Sequence, residues 1–150
     1  MKYAEKYGFK HNIPLIFCKN YSPQVLKANM RICGATEYAL VLYREKLPKF
    51  RNNGKMIFNW FEWHRDKTKV YPKIHPAQKP VNLLKQLIKI FTDEGDVVID
   101  PVAGSGTTLR AARELNRNSY GFEISKDFYK KAKEQMLAEN KSEFEQLSIV

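Results

Sequence analysis

The sequence predicts an α/β protein, in which a first half of short strands and loops is followed by regularly alternating helices and strands. Three observations predict this class. Apolar residues recur at helical spacing over residues 81–91, residues 97–99 are wholly apolar, and glycines at positions 104 and 106 precede a further helical stretch. The resulting succession of helix, strand, glycine turn, helix, strand and helix is half of a doubly wound parallel sheet.

Short strands are predicted in the first half. Leu15–Cys18 and Tyr38–Tyr43 are apolar runs, the second rich in aromatic residues, and Met56–Trp63 alternates loosely between apolar and polar residues. The segment Lys19–Asn29 has no clean period and contains Pro23, so we expect a loop there.

A helix is predicted directly after Pro80, because proline is favoured in the first turn of a helix. Five apolar residues then fall on one helical face: Val81, Leu84, Leu87, Ile88 and Phe91. The run Val97–Ile99 is apolar throughout, which predicts a parallel strand that is buried on both faces.

The turn Gly104–Gly106 leads into a predicted helix at Thr107–Leu115, where two alanines favour helical structure. A second short strand is predicted at Ser119–Ile124. Ser125 is a residue type that caps helices, and apolar residues follow it at intervals of four, which predicts a final helix.

Composition narrows the class of protein. An apolar content of 43% is too high for a disordered chain, and no run of about 18 apolar residues is present for a membrane span. The first residues carry no secretory signal pattern, and Cys18 and Cys33 lack the spacing of a disulfide framework or a metal site. We therefore expect a soluble, cytoplasmic protein without a bound metal.

The net charge of +10 is unevenly distributed along the chain. Up to Pro80 there are 16 basic and 5 acidic residues, whereas the remainder has 10 basic and 11 acidic residues. A basic segment of this kind favours a polyanionic partner, above all nucleic acid, over a merely solvated surface.

A nucleoside site is predicted where the two parallel strands end. Asp100 ends the first strand, Gly104 and Gly106 form the turn after it, and Glu123 ends the next strand, where a carboxylate can bind both hydroxyls of a ribose. Leu109 occupies the third glycine position of a pyrophosphate loop, so a nucleoside without phosphate, such as S-adenosylmethionine, fits best. The alternative is a tight turn beside a solvated carboxylate.

Three linked motifs make the resemblance specific. His75–Pro80, Val98–Thr108 and Tyr120–Ile124 resemble, in order and spacing, the amino-group DNA methyltransferases, which methylate adenine N6 or cytosine N4. The order is the beta order, in which the target-recognition region precedes the cofactor-binding half. Weaker resemblances at Glu37–Tyr43 and Asn59–Trp63 agree with it.

The resemblance implies a partial S-adenosylmethionine-dependent methyltransferase (Rossmann-like) sheet with an N-terminal strand- and loop-rich target-recognition region. Residues 1–74 would hold the end of the catalytic half and the basic target-recognition region, and residues 75–150 the cofactor-binding half. The implied cofactor-binding residues are Asp100, Pro101, Ala103, Gly104, Gly106, Thr107, Glu123, His75, Gln78, Lys79 and Pro80. Val102 stands where Phe is common and Ala77 where Thr is common, and both changes weaken the expected cofactor contacts.

The basic residues of the recognition region are candidates for contacts with DNA. We expect this role for Arg31, Arg44, Lys46, Lys49, Arg51, Lys55, Arg65 and Lys67. Trp60 and Trp63 either stack on bases or pack within a sheet, and aromatic residues at strand spacing favour packing.

No catalytic residue can be assigned from the sequence. The family uses Asp, Asn or Ser followed by Pro-Pro and an aromatic residue, but none of the seven prolines here is adjacent to another. We therefore expect the C-terminal portion of a restriction-modification type methyltransferase, inactive alone, with adenine favoured over cytosine. A truncated product, one half of a split enzyme and an excised fragment all stay open, as do a homodimer and a missing catalytic partner chain. The rival hypotheses are a non-catalytic DNA- or partner-binding module and, less favoured, an RNA or protein methyltransferase.

Overall fold

The computed structural model describes residues 2–21 and 24–138, and the chain divides into two compact units. The strand unit consists of residues 1–65 and 85–93, and the turn unit consists of residues 66–84 and 94–150. Within the described parts of both units, no helix is long and apolar enough to cross a bilayer.

The strand unit is built on a three-stranded sheet with the order β4–β1–β5. Strand β1 (His11–Lys19) runs antiparallel to β4 (Thr36–Tyr43) and parallel to β5 (Trp60–Trp63), and a short helix α1 (Lys2–Lys6) precedes it. The buried side chains on one face of β1 and β5 are Leu15, Phe17, Phe61 and Trp63. The predicted strands in this region are confirmed, although the third is limited to the last four residues of the predicted segment.

A hairpin occupies the connection between β1 and β4. It pairs β2 (Gln24–Lys27) antiparallel with β3 (Ile32–Gly34), and a 3-10 turn (Ala28–Met30) joins them. The prediction of a loop over Lys19–Asn29 was therefore wrong. A strand of four residues is too short to show a period, and its partner lies outside the segment that was considered.

The turn unit holds a parallel pair of strands and the helices around it. In chain order its elements are α2 (Val81–Phe91, of which residues 85–91 belong to the strand unit), β6 (Val97–Asp100), α3 (Thr107–Arg113), β7 (Asn118–Gly121), α4 (Lys126–Lys131) and a π-helical turn (Ala132–Met136). The register pairs Asp100 with Gly121, which brings the ends of the two strands to one edge of the sheet. Every predicted helix and strand of this half is present; β6 is one residue longer than its predicted span, α3 is shorter, and β7 begins one residue earlier and ends three residues earlier than predicted.

One face of the β6–β7 pair is exposed. Val97 is 53% exposed, Ile99 is 63% exposed and Tyr120 is 63% exposed, whereas the residues between them are half-buried. The prediction that Val97–Ile99 is buried on both faces was wrong. Helix α3 packs on the opposite face, where Leu109 lies against Gly121, so the described residues of this unit cover only that side.

An ion-pair cluster fixes the end of α2 within the strand unit. Asp93 accepts hydrogen bonds from Arg51 Nε at 2.6 Å and Nη2 at 2.7 Å, and Lys49 Nζ lies 3.1 Å away. The hydrogen bonds from Arg51, followed by the bond from Lys49, hold the pKa of Asp93 well below its ordinary value of 3.8.

We expect Asp93→Asn to cause a small loss of stability at neutral pH, because exposed ion pairs contribute little. A depressed pKa in the folded state stabilises the fold above the ordinary value of 3.8, and this contribution disappears as the pH falls below it. The difference in thermal midpoint between wild type and variant should therefore vanish in acid. The matched control is Glu94→Gln, which removes the adjacent exposed carboxylate; an equal, pH-dependent loss in that variant would contradict the assignment to Arg51 and Lys49.

Candidate functional site

The loop between β6 and α3 is held beside the end of β7 by backbone hydrogen bonds. Ala103 N donates to Phe122 O at 2.8 Å, and Phe122 N donates to Asp100 O at 2.9 Å. The Asp100 carboxylate accepts a bond from Val102 N at 3.1 Å, and Gly106 N donates to Ala103 O at 2.8 Å. The loop therefore has a defined shape before any ligand binds.

The two glycines of this loop meet different constraints. Both have left-handed backbones, with φ of +53° at Gly104 and +75° at Gly106, which favour glycine. A Cβ on Gly106 would lie 3.3 Å from the Cβ of Ala132, so this position is also crowded. A Cβ on Gly104 would have Val102 O at 3.9 Å as its only neighbour within 4 Å among the described residues, so space for a ligand lies over this glycine.

Glu123 is fixed beside that space. Its Oε2 accepts a hydrogen bond from Gly104 N and its Oε1 accepts one from Ser125 N, both at 2.8 Å. The bond from Ser125, then that from Gly104, and then the nearby His75 lower the pKa of Glu123 from its ordinary value, so the group is a carboxylate at neutral pH. Each carboxylate oxygen has capacity for a second bond, which suits a ligand that offers two hydroxyl groups.

Pro101 and Thr107 mark the two ends of the loop. Pro101 is exposed directly after β6, where its side chain is accessible. Thr107 is buried at the start of α3, with its hydroxyl 3.5 Å from that of Ser105. Of these two predicted site residues, Pro101 is therefore open to a ligand and Thr107 supports the helix start.

Gln78 shapes the His-Pro motif that precedes α2. Its Oε1 accepts a hydrogen bond from Ile74 N at 2.9 Å, its Nε2 donates to Pro72 O at 3.0 Å, and its own N–H donates to the carbonyl of His75. Lys79 is half-buried and Pro80 is buried at the start of the helix. Gln78 and Pro80 thus organise the motif.

His75 connects this motif with the last helix. Its Nδ1 accepts a bond from Ala77 N at 3.1 Å, and its ring meets that of Phe128 edge-on at 4.4 Å between centroids. Phe128 lies in the helix that Ser125 caps, and Ser125 N also donates to Glu123, so this ring contact brings the His-Pro motif next to the Glu123 site.

Asp66 is a residue of this region that the sequence did not indicate. Its Oδ2 accepts a hydrogen bond of 2.7 Å from Val81 N, which satisfies a free N–H of the first turn of α2. The two residues are 15 positions apart, so the local capping patterns that a sequence reveals could not identify it.

The sequence matches the profile of a known protein family. The profile of the N6/N4 family, described as DNA methylase, matches residues 2–134. The chain belongs to this family of DNA methylases.

Curated proteins and solved structures resemble this DNA methylase chain. It is 34% identical over 146 residues to the type II methyltransferase M.MjaI of Methanocaldococcus jannaschii, covering 81% of the chain and 48% of that relative. It is 56% identical over 55 residues to M.HindIII of Haemophilus influenzae, covering 37% of the chain and 18% of that relative. The solved complex of M1.HpyAVI with S-adenosylmethionine superposes with a TM-score of 0.74 at 29% identity, covering 89% of the chain and 66% of that structure.

These likenesses confirm the predicted fold class, a partial methyltransferase sheet of the Rossmann-like kind. The methylase chain spans about half or less of the length of the curated relatives just described.

Four of the basic residues predicted to bind DNA lie at two opposite ends of the strand unit. The carboxyl ends of β1 and β5 lie together, and Arg65 and the hairpin that carries Arg31 are at this end of the strand unit. Arg44 and Lys46 follow β4, which runs the other way, so they lie at the opposite end. Lys49 and Arg51 are engaged with Asp93.

The two remaining candidates are described by their local contacts. Lys55 closes a turn, in which its N–H donates to Asn52 O at 3.0 Å. Lys67 belongs to the turn unit, where its carbonyl accepts a bond from Val70 N.

The two tryptophans of β5 differ in their surroundings. Trp63 is buried, with its ring edge-on to Phe17 at 6.4 Å and Lys19 Nζ 4.9 Å from its centroid. Trp60 is 44% exposed and stacks on Phe58 at 5.9 Å. The favoured packing role is therefore observed for Trp63, whereas Trp60 is accessible.

Proposed function

We propose that this chain binds S-adenosylmethionine at the loop after β6, with Glu123 holding the ribose. The observation that carries the proposal is the Glu123 carboxylate, fixed by the N–H groups of Gly104 and Ser125 beside open space. The solved S-adenosylmethionine complex of M1.HpyAVI supports the choice of ligand.

Different residues of the site would contact different parts of the ligand. Glu123 would accept bonds from both ribose hydroxyls, and Gly104 would allow the ligand close to the backbone. The loop that begins at Asp100, with Pro101 and Ala103, would enclose the methionine portion, and the motif around His75, Gln78 and Lys79 would close over that end. The ligand itself supplies a methyl group on a positively charged sulfur.

We further propose that the methyl acceptor is an exocyclic amine of a base in DNA, with adenine N6 favoured over cytosine N4. Membership of the DNA methylase family supports this acceptor class. The lone pair of such an amine is delocalised into the ring, so transfer requires groups that accept the amine hydrogens and a ring that stacks on the flipped base. The Pro-Pro tetrapeptide that does this in the family is not among these 150 residues.

The tetrapeptide would therefore come from a methylase segment outside these residues. We propose that this segment packs on the exposed face of the turn unit's sheet. The exposed face formed by Val97, Ile99 and Tyr120 supports this, because apolar side chains of a parallel sheet are normally covered. The curated relatives described above are more than twice as long as the parts that match this chain. The remainder is long enough to contain such a segment.

We expect the isolated 150-residue chain to bind S-adenosylmethionine but to transfer no methyl group to DNA. The measurement is calorimetry with the cofactor alongside incorporation of a radiolabelled methyl group into duplex DNA. Methyl incorporation by this chain alone would refute the proposed need for an external tetrapeptide. A stable homodimer in light scattering would indicate that a second copy, and not a catalytic segment, covers the exposed face.

A second candidate function is a DNA-binding module that keeps the fold without turnover. Val102, which stands where the family commonly has Phe, favours it, because its side chain is 81% exposed and forms no wall beside the loop. Absence of binding heat with the cofactor, together with salt-sensitive binding of DNA, would support this alternative.

A further inference from the structure

We propose that the β2–β3 hairpin, Gln24–Gly34, is the element of this chain that enters a groove of the DNA and reads the target. The inference rests on the proposed action on DNA and names the element that recognises it. Among the described strands, β2 and β3 pair only with each other, so the hairpin is a two-stranded ribbon separate from the three-stranded sheet. The major groove of B-DNA, about 12 Å wide, admits a two-stranded ribbon.

The position of the hairpin favours this role. It connects the carboxyl end of β1 with the start of the antiparallel β4, so it lies at the end of the sheet where the parallel strands β1 and β5 finish. Ligands of α/β sheets bind at the carboxyl ends of parallel strands.

The side chains of the hairpin combine apolar exposure with positive charge. Four apolar residues are exposed: Val25 at 62%, Leu26 at 59%, Met30 at 66% and Ile32 at 43%. Lys27 and Arg31 are interspersed among them, and the segment has no acidic residue. Apolar contacts suit thymine methyl groups or base steps, and the two cations suit phosphate or guanine, so duplex DNA matches this surface better than an apolar protein partner does.

Polar groups lie at the end of the sheet from which the hairpin leaves. The Arg65 guanidinium carbon lies over the Tyr21 ring, 3.7 Å from its centroid, in a cation–π contact. Asn20 Nδ2 lies 3.3 Å from His64 Nδ1, and His64 Nε2 lies 2.6 Å from the Glu62 carboxylate. Asn20 and Tyr21 follow β1, and His64 and Arg65 follow β5, so a duplex entered by the hairpin would meet a positioned arginine at its base.

The opposite end of the sheet offers a rival surface. Lys6, Lys10, Arg44 and Lys46 line an open groove of about 870 Å³ together with Glu45. This groove is more basic than the hairpin, but Arg44 is already placed over the ring of Phe9 at 5.2 Å. Charge alone suits sequence-independent contact with phosphates and carries no information about bases.

The deciding experiment compares two double variants of the full chain that each remove two positive charges. The test pair is Lys27→Gln with Arg31→Asn; asparagine is chosen because Arg31 has φ of +54°, which asparagine tolerates. The control pair, at the other end, is Lys6→Gln with Lys10→Gln. Binding to a labelled duplex is measured by fluorescence anisotropy over a range of salt concentrations.

We expect the hairpin pair to lose about tenfold or more in affinity and to lower the salt slope by about 2, with the control pair changing much less. A third variant, Val25→Ser with Met30→Ser, should keep the salt slope but change the sequences that the chain enriches from a random duplex pool. The circular dichroism spectrum and the heat of S-adenosylmethionine binding in calorimetry should be the same for all variants as for the wild type.

Two results would overturn the inference. If the control pair loses as much affinity as the hairpin pair, DNA lies at the opposite end or over both. If the wild type shows no salt-dependent binding of DNA while it still binds S-adenosylmethionine, the hairpin does not read DNA and the proposed cofactor site stands. If the wild type shows no heat of S-adenosylmethionine binding while the hairpin pair still loses DNA affinity, only the cofactor proposal is overturned.

Discussion

Glu123→Ala is expected to weaken binding of S-adenosylmethionine by about 100-fold. The wild-type carboxylate would bind two ribose hydroxyls, and hydrogen bonds to a charged group contribute about 1.5 kcal/mol or more each. Glu123→Gln is not a mild substitution here, because both wild-type oxygens accept backbone N–H groups and one of these would meet an amide NH₂. We therefore expect the glutamine variant to lose affinity as well and to loosen the loop at Gly104 or Ser125.

The control for this prediction is Glu134→Gln, which removes an exposed carboxylate from the same unit. An analogue of the cofactor that lacks the 2′-hydroxyl separates lost ligand contact from loop disorder. The wild type should discriminate against this analogue in calorimetry, whereas Glu123→Ala should bind both compounds equally weakly. Equal affinities of the wild type for the two compounds, or unchanged affinity in Glu123→Ala, would refute the ribose role.

The pH dependence follows from the same hydrogen bonds. Because the pKa of Glu123 is lowered from its ordinary value of 4.5, the carboxylate is ionised throughout the neutral range. Titration of Glu123 should accordingly not change cofactor affinity at neutral pH. The affinity should fall only as the pH drops through the lowered pKa of this group.

Gly121→Val is expected to destabilise the turn unit by about 3 kcal/mol through overpacking. A Cβ at this position would lie 2.7 Å from Leu109 Cδ1, 2.9 Å from Leu109 Cδ2 and 3.1 Å from the Cβ of Ala103. The leucine methyl groups can move, but Ala103 Cβ is attached to the backbone of the loop. Since Gly121 pairs with Asp100, the displacement would also disturb the site.

The double variant Gly121→Val with Leu109→Ala tests the cause. Removing the leucine side chain leaves room for valine, so the two losses of unfolding free energy should add to clearly more than the loss in the double variant. Tyr120→Val, on the exposed face of the same strand, is the control and should change the urea midpoint little. Additive losses would show that the contact with Leu109 does not explain why glycine occupies this position.

The local elements of the turn unit could be predicted because their signals lie within a few residues of one another. Pro80 starts α2, Gly104 and Gly106 turn the chain, and Ser125 accepts a bond from Phe128 N at the start of α4. The pairing of Glu123 with the glycine loop could be anticipated for the same reason, since a short crossover fixes which strand ends meet.

Contacts between distant segments could not be predicted in this way. The β2–β3 hairpin was missed because neither short strand has a period of its own, and the cap on Val81 comes from Asp66, 15 residues earlier. The exposure of Ile99 was missed because a wholly apolar strand predicts that both faces of the sheet are packed against other elements. The local sequence does not show which of these elements is present.

The sequence by itself therefore determined the α/β class and the order of the helices and strands around the glycine turn, and it predicted the residues of the candidate cofactor site. Only the tertiary structure decided how the basic residues are distributed. Arg31 and Arg65 share one end of the strand unit and Arg44 lies at the other, because β1 pairs parallel with β5 but antiparallel with β4. The direction of a strand is fixed by its hydrogen-bonding partners, which lie tens of residues away, and no local pattern of charge or hydrophobicity encodes it.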